Sequence, residues 1–246
     1  MKYSGFSIVN RTLWLYLATP FLVVLSMSGF AEQWRNGPSL VTARFGAQSV
    51  LLNNQIYVIG GLGPGGIMVD AIETLGPAAI HWEDQYVSHL FVTRVDGAAA
   101  VWNGNIYITG GQNSNNQVIA STEVYNSASN SWSTVGSMIQ ERRGHVLAIL
   151  NGHLIAIGGI DNNDEYVSEI EYYNAPENKW LEIQGEFIAQ RVVPFSGVFN
   201  NQLKLFGGIL SVPVSSGFNG IFDSNWNVTW KNLPELTEAR GNGISI

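Results

Sequence analysis

The sequence predicts an all-β chain built from four repeats of one four-stranded unit. Three regularities carry that reading. Gly-Gly pairs stand at Gly60-Gly61, Gly110-Gly111, Gly158-Gly159 and Gly207-Gly208, spaced 50, 48 and 49 residues apart. Sixteen residues before each pair is an arginine: Arg44, Arg94, Arg142 and Arg191. After each pair comes a tryptophan: Trp82, Trp132, Trp180 and Trp230. A fixed period near fifty marks stacked supersecondary units, none of which can bury both its faces alone.

Each unit reads in the same order. The third is clearest. Gly144 to Leu150 is an apolar run, Asn151-Gly152 turns, and Leu154 to Ile157 is apolar again. Asn-Gly between two apolar runs predicts a hairpin, because both turn positions need positive φ. The equivalent turns are Asn53-Asn54, Asn103-Gly104 and Asn200-Asn201. Gly-Gly ends the second strand, where a neighbouring backbone or ring must come close. Glutamates thirteen residues after the first three pairs, Glu73, Glu123 and Glu171, fall in the third strand. Two residues further stand Leu75, Tyr125, Tyr173 and, in the fourth unit, Phe222. A second turn follows, and the tryptophan opens the fourth strand. The aromatic pair is expected to fill the wedge between units with its polar edges hydrogen-bonded. The recurring arginine and glutamate are expected to pair, since unpartnered buried charges cost several kcal/mol each.

In combination these motifs resemble the kelch repeat, over residues 34–246. The resemblance implies a kelch-type β-propeller of four-stranded blades, each with its first strand nearest the axis. The blades fall at about 40–86, 90–136, 138–184 and 187–234, with the start of a further blade at 238–246. Two departures stand out. Leu75 replaces the tyrosine in the first blade, and Gly220 occupies the glutamate's place in the fourth. The fourth blade is therefore expected to be the least regular. Half-motifs flank the four blades: Trp34 lies ten residues before Arg44, and Arg240-Gly241-Asn242-Gly243 repeats a blade opening. The expectation is an incomplete ring or an open four-blade arc.

Residues 1–31 read as a signal peptide preceding the propeller at 32–246. Lys2 and Arg11 precede an uncharged stretch with an apolar heart at Leu13–Leu25, and small residues end it at Gly29 and Ala31. An uncleaved membrane anchor is the alternative, since twenty uncharged residues just span a bilayer. Both place the rest outside the cytoplasm, in a bacterial periplasm or at the cell surface.

Composition closes several routes. The 246 residues carry a net charge of −7, which argues against nucleic acid as a partner. The chain has no cysteine, which excludes disulfides and thiol chemistry. No histidine pair has metal-ligand spacing, so no metal and no cofactor is expected. Asp161 to Glu165 places oxygens at alternate positions but lacks the glycine and closing glutamate of a calcium loop.

The loops leaving the second strands, 62–70, 112–119, 160–168 and 209–218, crowd one rim and are rich in Asn, Gly, Ser and Gln. Ligands are read on such loops. Candidate binding residues are Gln112, Asn113, Asn115, Asp161, Asn162, Asp164 and Arg143. Arg143 is off-pattern, standing where the other blades have Phe45, Val95 and Val192. The sequence thus points to an exported kelch-repeat module that binds a protein or a glycan. One alternative is a sugar-active enzyme resembling the periplasmic sialic-acid epimerases, with Glu141 as acid–base and Arg143 as orienting cation. Another is a structural module of a longer surface protein.

Overall fold

The computed structural model describes residues 36–85, 87–187 and 190–241. The 1–31 segment and residues 242–246 of the expected further blade lie outside them. Among the described residues the regular structure is strand, with two 3-10 turns at Pro64–Gly66 and Ala175–Glu177. No helix there is long and apolar enough to cross a membrane.

Four antiparallel meanders follow one another. The first holds β1 (Gln48–Leu52), β2 (Gln55–Ile59) and β3 (Glu73–Leu75). The second holds β4 (Ala98–Trp102), β5 (Asn105–Thr109), β6 (Thr122–Asn126) and β7 (Ser131–Val135). The third holds β8 (Val146–Leu150), β9 (His153–Ile157), β10 (Glu169–Asn174) and β11 (Lys179–Glu186). The fourth holds β12 (Phe195–Phe199), β13 (Gln202–Phe206), β14 (Gly217–Phe222) and β15 (Val228–Leu233). These are the blades of a kelch-type propeller. Every first hairpin turns through two residues of positive φ, as at Asn103 (49°) and Gly104 (74°). That conformation matches strand twist and is tolerated by Asn and Gly.

Blades stack through apolar layers. Tyr57, Ile59 and Ile72 of the first meet Ile106, Ile108 and Trp132 of the second. Trp102 and Tyr107 then meet Leu154, Ala156 and Trp180. Leu150, Ile155 and Ile157 meet Leu203, Leu205 and Phe222. Within a blade the aromatics pair as expected, with ring centroids 5.3 Å apart for Tyr125–Trp132 and 5.5 Å for Tyr173–Trp180. Their polar edges are satisfied: the Tyr173 hydroxyl donates to Asn178 Oδ1 at 2.7 Å, and Trp132 Nε1 to the Ser88 carbonyl at 2.8 Å.

Regularity is distributed differently from the expectation. The fourth blade is a full four-stranded sheet, whereas the outer strand of the first is a single bridge between Thr74 and Glu83. Gly76 and Pro77 follow β3 directly, and Pro has no N–H with which to extend a ladder.

The fourth blade also runs in a different register. Leu205 pairs Phe218, as Ile108 pairs Glu123, so Phe218, not Gly220, takes the glutamate's place. Gly220 faces Trp230, as Tyr125 faces Trp132, so Gly220, not Phe222, takes the tyrosine's place. The loop is two residues shorter: Arg191 reaches Ser216 across 25 residues, where Arg94 reaches Ser121 across 27. A Cβ on Gly220 would stand 2.7 Å from the Trp230 ring, which has moved into the room a tyrosine would fill.

Candidate functional site

The motif arginines and glutamates build the floor beneath the loop rim. Arg44 pairs with Glu73 and Arg94 with Glu123, while Arg142 Nη2 lies 2.5 Å from Glu171 Oε1. These six side chains are essentially solvent-free. Each carboxylate also accepts two backbone N–H bonds from the segment entering its blade; Glu171 takes Ile139 N at 2.6 Å and Gln140 N at 3.1 Å. Arg44 and Arg94 each donate further to three carbonyls, those of Val92, Gly110 and Ser121 for Arg94, and Arg142 to those of Gly158 and Glu169. A low-dielectric site favours such a pair when its remaining hydrogen-bond capacity is met, as it is for Arg44 and Arg94; Arg142 Nε alone of the three is left without a partner. In the fourth blade Arg191 bonds the Gly207 and Ser216 carbonyls and lies 4.7 Å over the Phe218 ring. A cation–π contact with Phe218 stands there, at the position where the other blades place the glutamate. These groups are structural, and they fix where the loops begin.

Two residues after each arginine the backbone enters the left-handed region: Gly46 (63°), Asp96 (54°), Gly144 (63°) and Val193 (45°). Their peptide groups link blade to blade. Asp96 N donates to Gly46 O at 2.9 Å, Gly144 N to Asp96 O at 2.8 Å, and Val193 N to Gly144 O at 2.7 Å. Inside this chain of bonds lies a cavity of about 600 Å³, lined by the first strands of all four blades. Its walls are mostly small or apolar, with Gln48, Asp96 and His145 among the polar groups. Burial raises the Asp96 carboxyl above the usual range, and the Arg143 charge opposes that rise. His145 is buried, with Nε2 2.8 Å from Thr109 Oγ1. Burial, then the charges of Arg142 and Arg94, hold it well below the ordinary imidazole pKa. It is a neutral bolt between the second and third blades. The sequence reading passed over Asp96; its signal was a carboxylate at a position that otherwise holds Gly46, Gly144 and Val193.

The predicted binding residues do gather at one rim, where most are engaged with their own loops. Asn113 Oδ1 accepts from the backbone of Asn115 and Gln117, and Asp161 Oδ1 accepts likewise from Asn163 and Glu165. Gln112 Nε2 donates to the Asn116 carbonyl. Asn162 clasps the neighbouring blade, accepting from Val118 N at 2.7 Å and donating to its carbonyl at 3.1 Å. Arg143 Nη2 donates to Asp164 Oδ1 at 2.8 Å, and Asn162 donates to Glu141 Oε1 at 3.3 Å. Among the described residues no cluster of His, Asp and Glu could hold a metal ion.

The same rim bears exposed apolar side chains that the sequence reading missed. Val41, Phe91 and Ile139 stand three residues before their arginines, and Phe45, Ile67, Leu210 and Val212 join them from neighbouring loops. The signal was available: one apolar residue recurs at that motif position, outside any strand.

A family model described as the KLHDC2/KLHL20/DRC7 Kelch-repeats domain matches residues 22–208. The chain belongs to the kelch-repeat family. Among curated kelch relatives, Kelch-like protein 23 of Mus musculus is 30% identical over 127 residues, covering 50% of this chain and 21% of that protein. Kelch-like protein 38 of Homo sapiens is 29% identical over 101 residues, covering 41% and 17% respectively. The matched part of this kelch chain thus spans about a fifth of those relatives. The solved structure of YjhT superposes with a TM-score of 0.69 at 18% identity, covering 83% of this chain and 69% of that one. At that identity the likeness concerns the fold.

Proposed function

We propose that this kelch-repeat propeller is a protein-binding module and that its loop rim is the binding surface. The observation that carries the reading is the set of exposed apolar side chains, Val41, Phe45, Phe91 and Ile139 among them, spread over three blades of one rim. Exposed apolar groups rimmed by polar ones mark protein interfaces. A glycan is the weaker fit, because the amides of Asn113 and Asn162 already serve the loops themselves. The class agrees, since kelch domains generally bind proteins. Residues 1–31 support export of the module. Glu141 and Arg143 each bond the 160–168 loop, an arrangement that favours scaffold over sugar chemistry.

The test compares proteins captured by the wild type, by Phe45→Glu/Phe91→Glu, and by Ala128→Glu on the opposite rim. A partner lost with the first variant and retained with the second supports the rim. A partner indifferent to both, or lost only with Ala128→Glu, refutes it. Fractionation of the tagged full chain tests export.

A further inference from the structure

Position by position, the two outward faces of the four-blade stack differ. In the second, third and fourth blades, Ile106, Leu154 and Leu203 face the preceding blade and are 0% exposed. Their counterpart in the first blade, Ile56, is 39% exposed, and Leu51 on the same face is 58% exposed. Val58 and Leu75, also on that face, are only partly covered. This face carries no charge at those positions.

The opposite end of the stack has been made polar. Lys204 stands where Tyr57, Tyr107 and Ile155 pack against a following blade, each of them opposite a third-strand residue as Lys204 is opposite Asn219. Lys204 Nζ donates to Asn219 Oδ1 at 2.7 Å and to Gln202 Oε1 at 3.0 Å, and Asn219 Nδ2 donates to Gln202 Oε1 at 3.0 Å. Phe199, beside them, is 67% exposed, whereas its counterparts Leu52, Trp102 and Leu150 are buried. Terminal repeats exposed to water carry a polar outer face. Among the described residues, the fourth blade's face carries such a polar cluster beside the exposed Phe199, and the first blade's face carries none.

We propose that the outward face of the first blade is a self-association surface, and that its occupant is the same face of a second copy. The face keeps the side-chain pattern by which this molecule packs blade on blade, so its natural complement is another kelch sheet face. Of the two outward faces, that of the fourth blade places a lysine where an apolar side chain is needed. At Leu51, Ile56, Val58 and Leu75 the first-blade face is apolar, so two copies meeting there set no like charges against each other, as a two-fold interface requires. Association through it leaves the loop rim free and is independent of partner binding there.

The absence of native cysteine makes the test direct. Single-cysteine variants Leu51→Cys and Phe199→Cys are made in the full chain, oxidised mildly and compared, alongside sedimentation of the wild type. The expected results are a wild type of twice the chain mass at ~100 µM, a disulfide-linked dimer from Leu51→Cys, and none from Phe199→Cys. Ile56→Lys, at an exposed position, is expected to keep its melting temperature and to weaken association ~10-fold or more, the cost of burying an unpaired charge. A monomeric wild type at that concentration overturns the proposal. So does preferential crosslinking of Leu51→Cys to Phe199→Cys in a mixture, which would mean head-to-tail packing.

Discussion

Arg142 Nη2 and Glu171 Oε1 lie 2.5 Å apart with neither side chain in contact with solvent, and the carboxylate also holds Ile139 N and Gln140 N. One ion pair therefore ties together three stretches of a blade. Glu171→Gln keeps the shape and leaves a buried guanidinium without its counter-charge. The expected loss is about 3–5 kcal/mol, read from urea midpoints. A loss below about 1 kcal/mol would show that the pair contributes little beyond packing.

His145 gives stability a defined pH dependence. Its folded pKa is depressed, so the unfolded chain binds the proton more readily. The stabilisation is complete above the unfolded imidazole value of about 6.5 and is lost as pH falls from there toward the folded pKa. The slope from this group approaches 1.4 kcal/mol per pH unit at its steepest. Melting curves between pH 7.5 and 5 are expected to show the decline, and His145→Gln is expected to flatten it.

Val193 sits at φ 45°, where the other blades use Gly46, Asp96 and Gly144. A β-branched residue in the left-handed region is strained by about 1–3 kcal/mol. Val193→Asn is expected to raise stability by about 1 kcal/mol, measured by thermal unfolding. The reverse change, Gly46→Val, is expected to destabilise, since a Cβ there would meet Val95 Cγ2 at 2.3 Å.

Gly110 combines φ 58° with a Cβ position 2.3 Å from the Arg142 carbonyl of the next blade. Gly110→Ala is expected to cost at least about 2 kcal/mol. Gly104→Ala, in an open turn at φ 74° with nothing within 4 Å of its Cβ, is expected to cost about 1 kcal/mol. The difference isolates the clash from the backbone preference.

The blade motif was legible because each of its residues answers a local requirement repeated four times. Arg94 needs Glu123, the Asn103-Gly104 turn needs positive φ, and Trp132 needs a wedge to fill. What escaped the sequence lay in register and in exposure. Gly220 was read at the glutamate position because counting from Gly207 assumes loops of equal length, and this one is two residues shorter. The curtailed outer strand of the first blade traces to Gly76-Pro77, a local break outside the repeat. Of the candidate binding residues, composition located the rim. It could not show that Asn113 and Asp161 bond their own loops, nor that Phe91 and Ile139 point outward, because both facts depend on how the chain folds back on itself.

The second glycine of each doublet donates its N–H to the arginine carbonyl of the blade that follows, as Gly61 does to Arg94 at 2.8 Å and Gly111 to Arg142 at 2.9 Å. On a ribosome, that acceptor emerges only about thirty residues later, at a synthesis rate of roughly 5–20 residues per second. Every leaflet must therefore wait, incompletely latched, for the threshold of its successor to leave the exit tunnel.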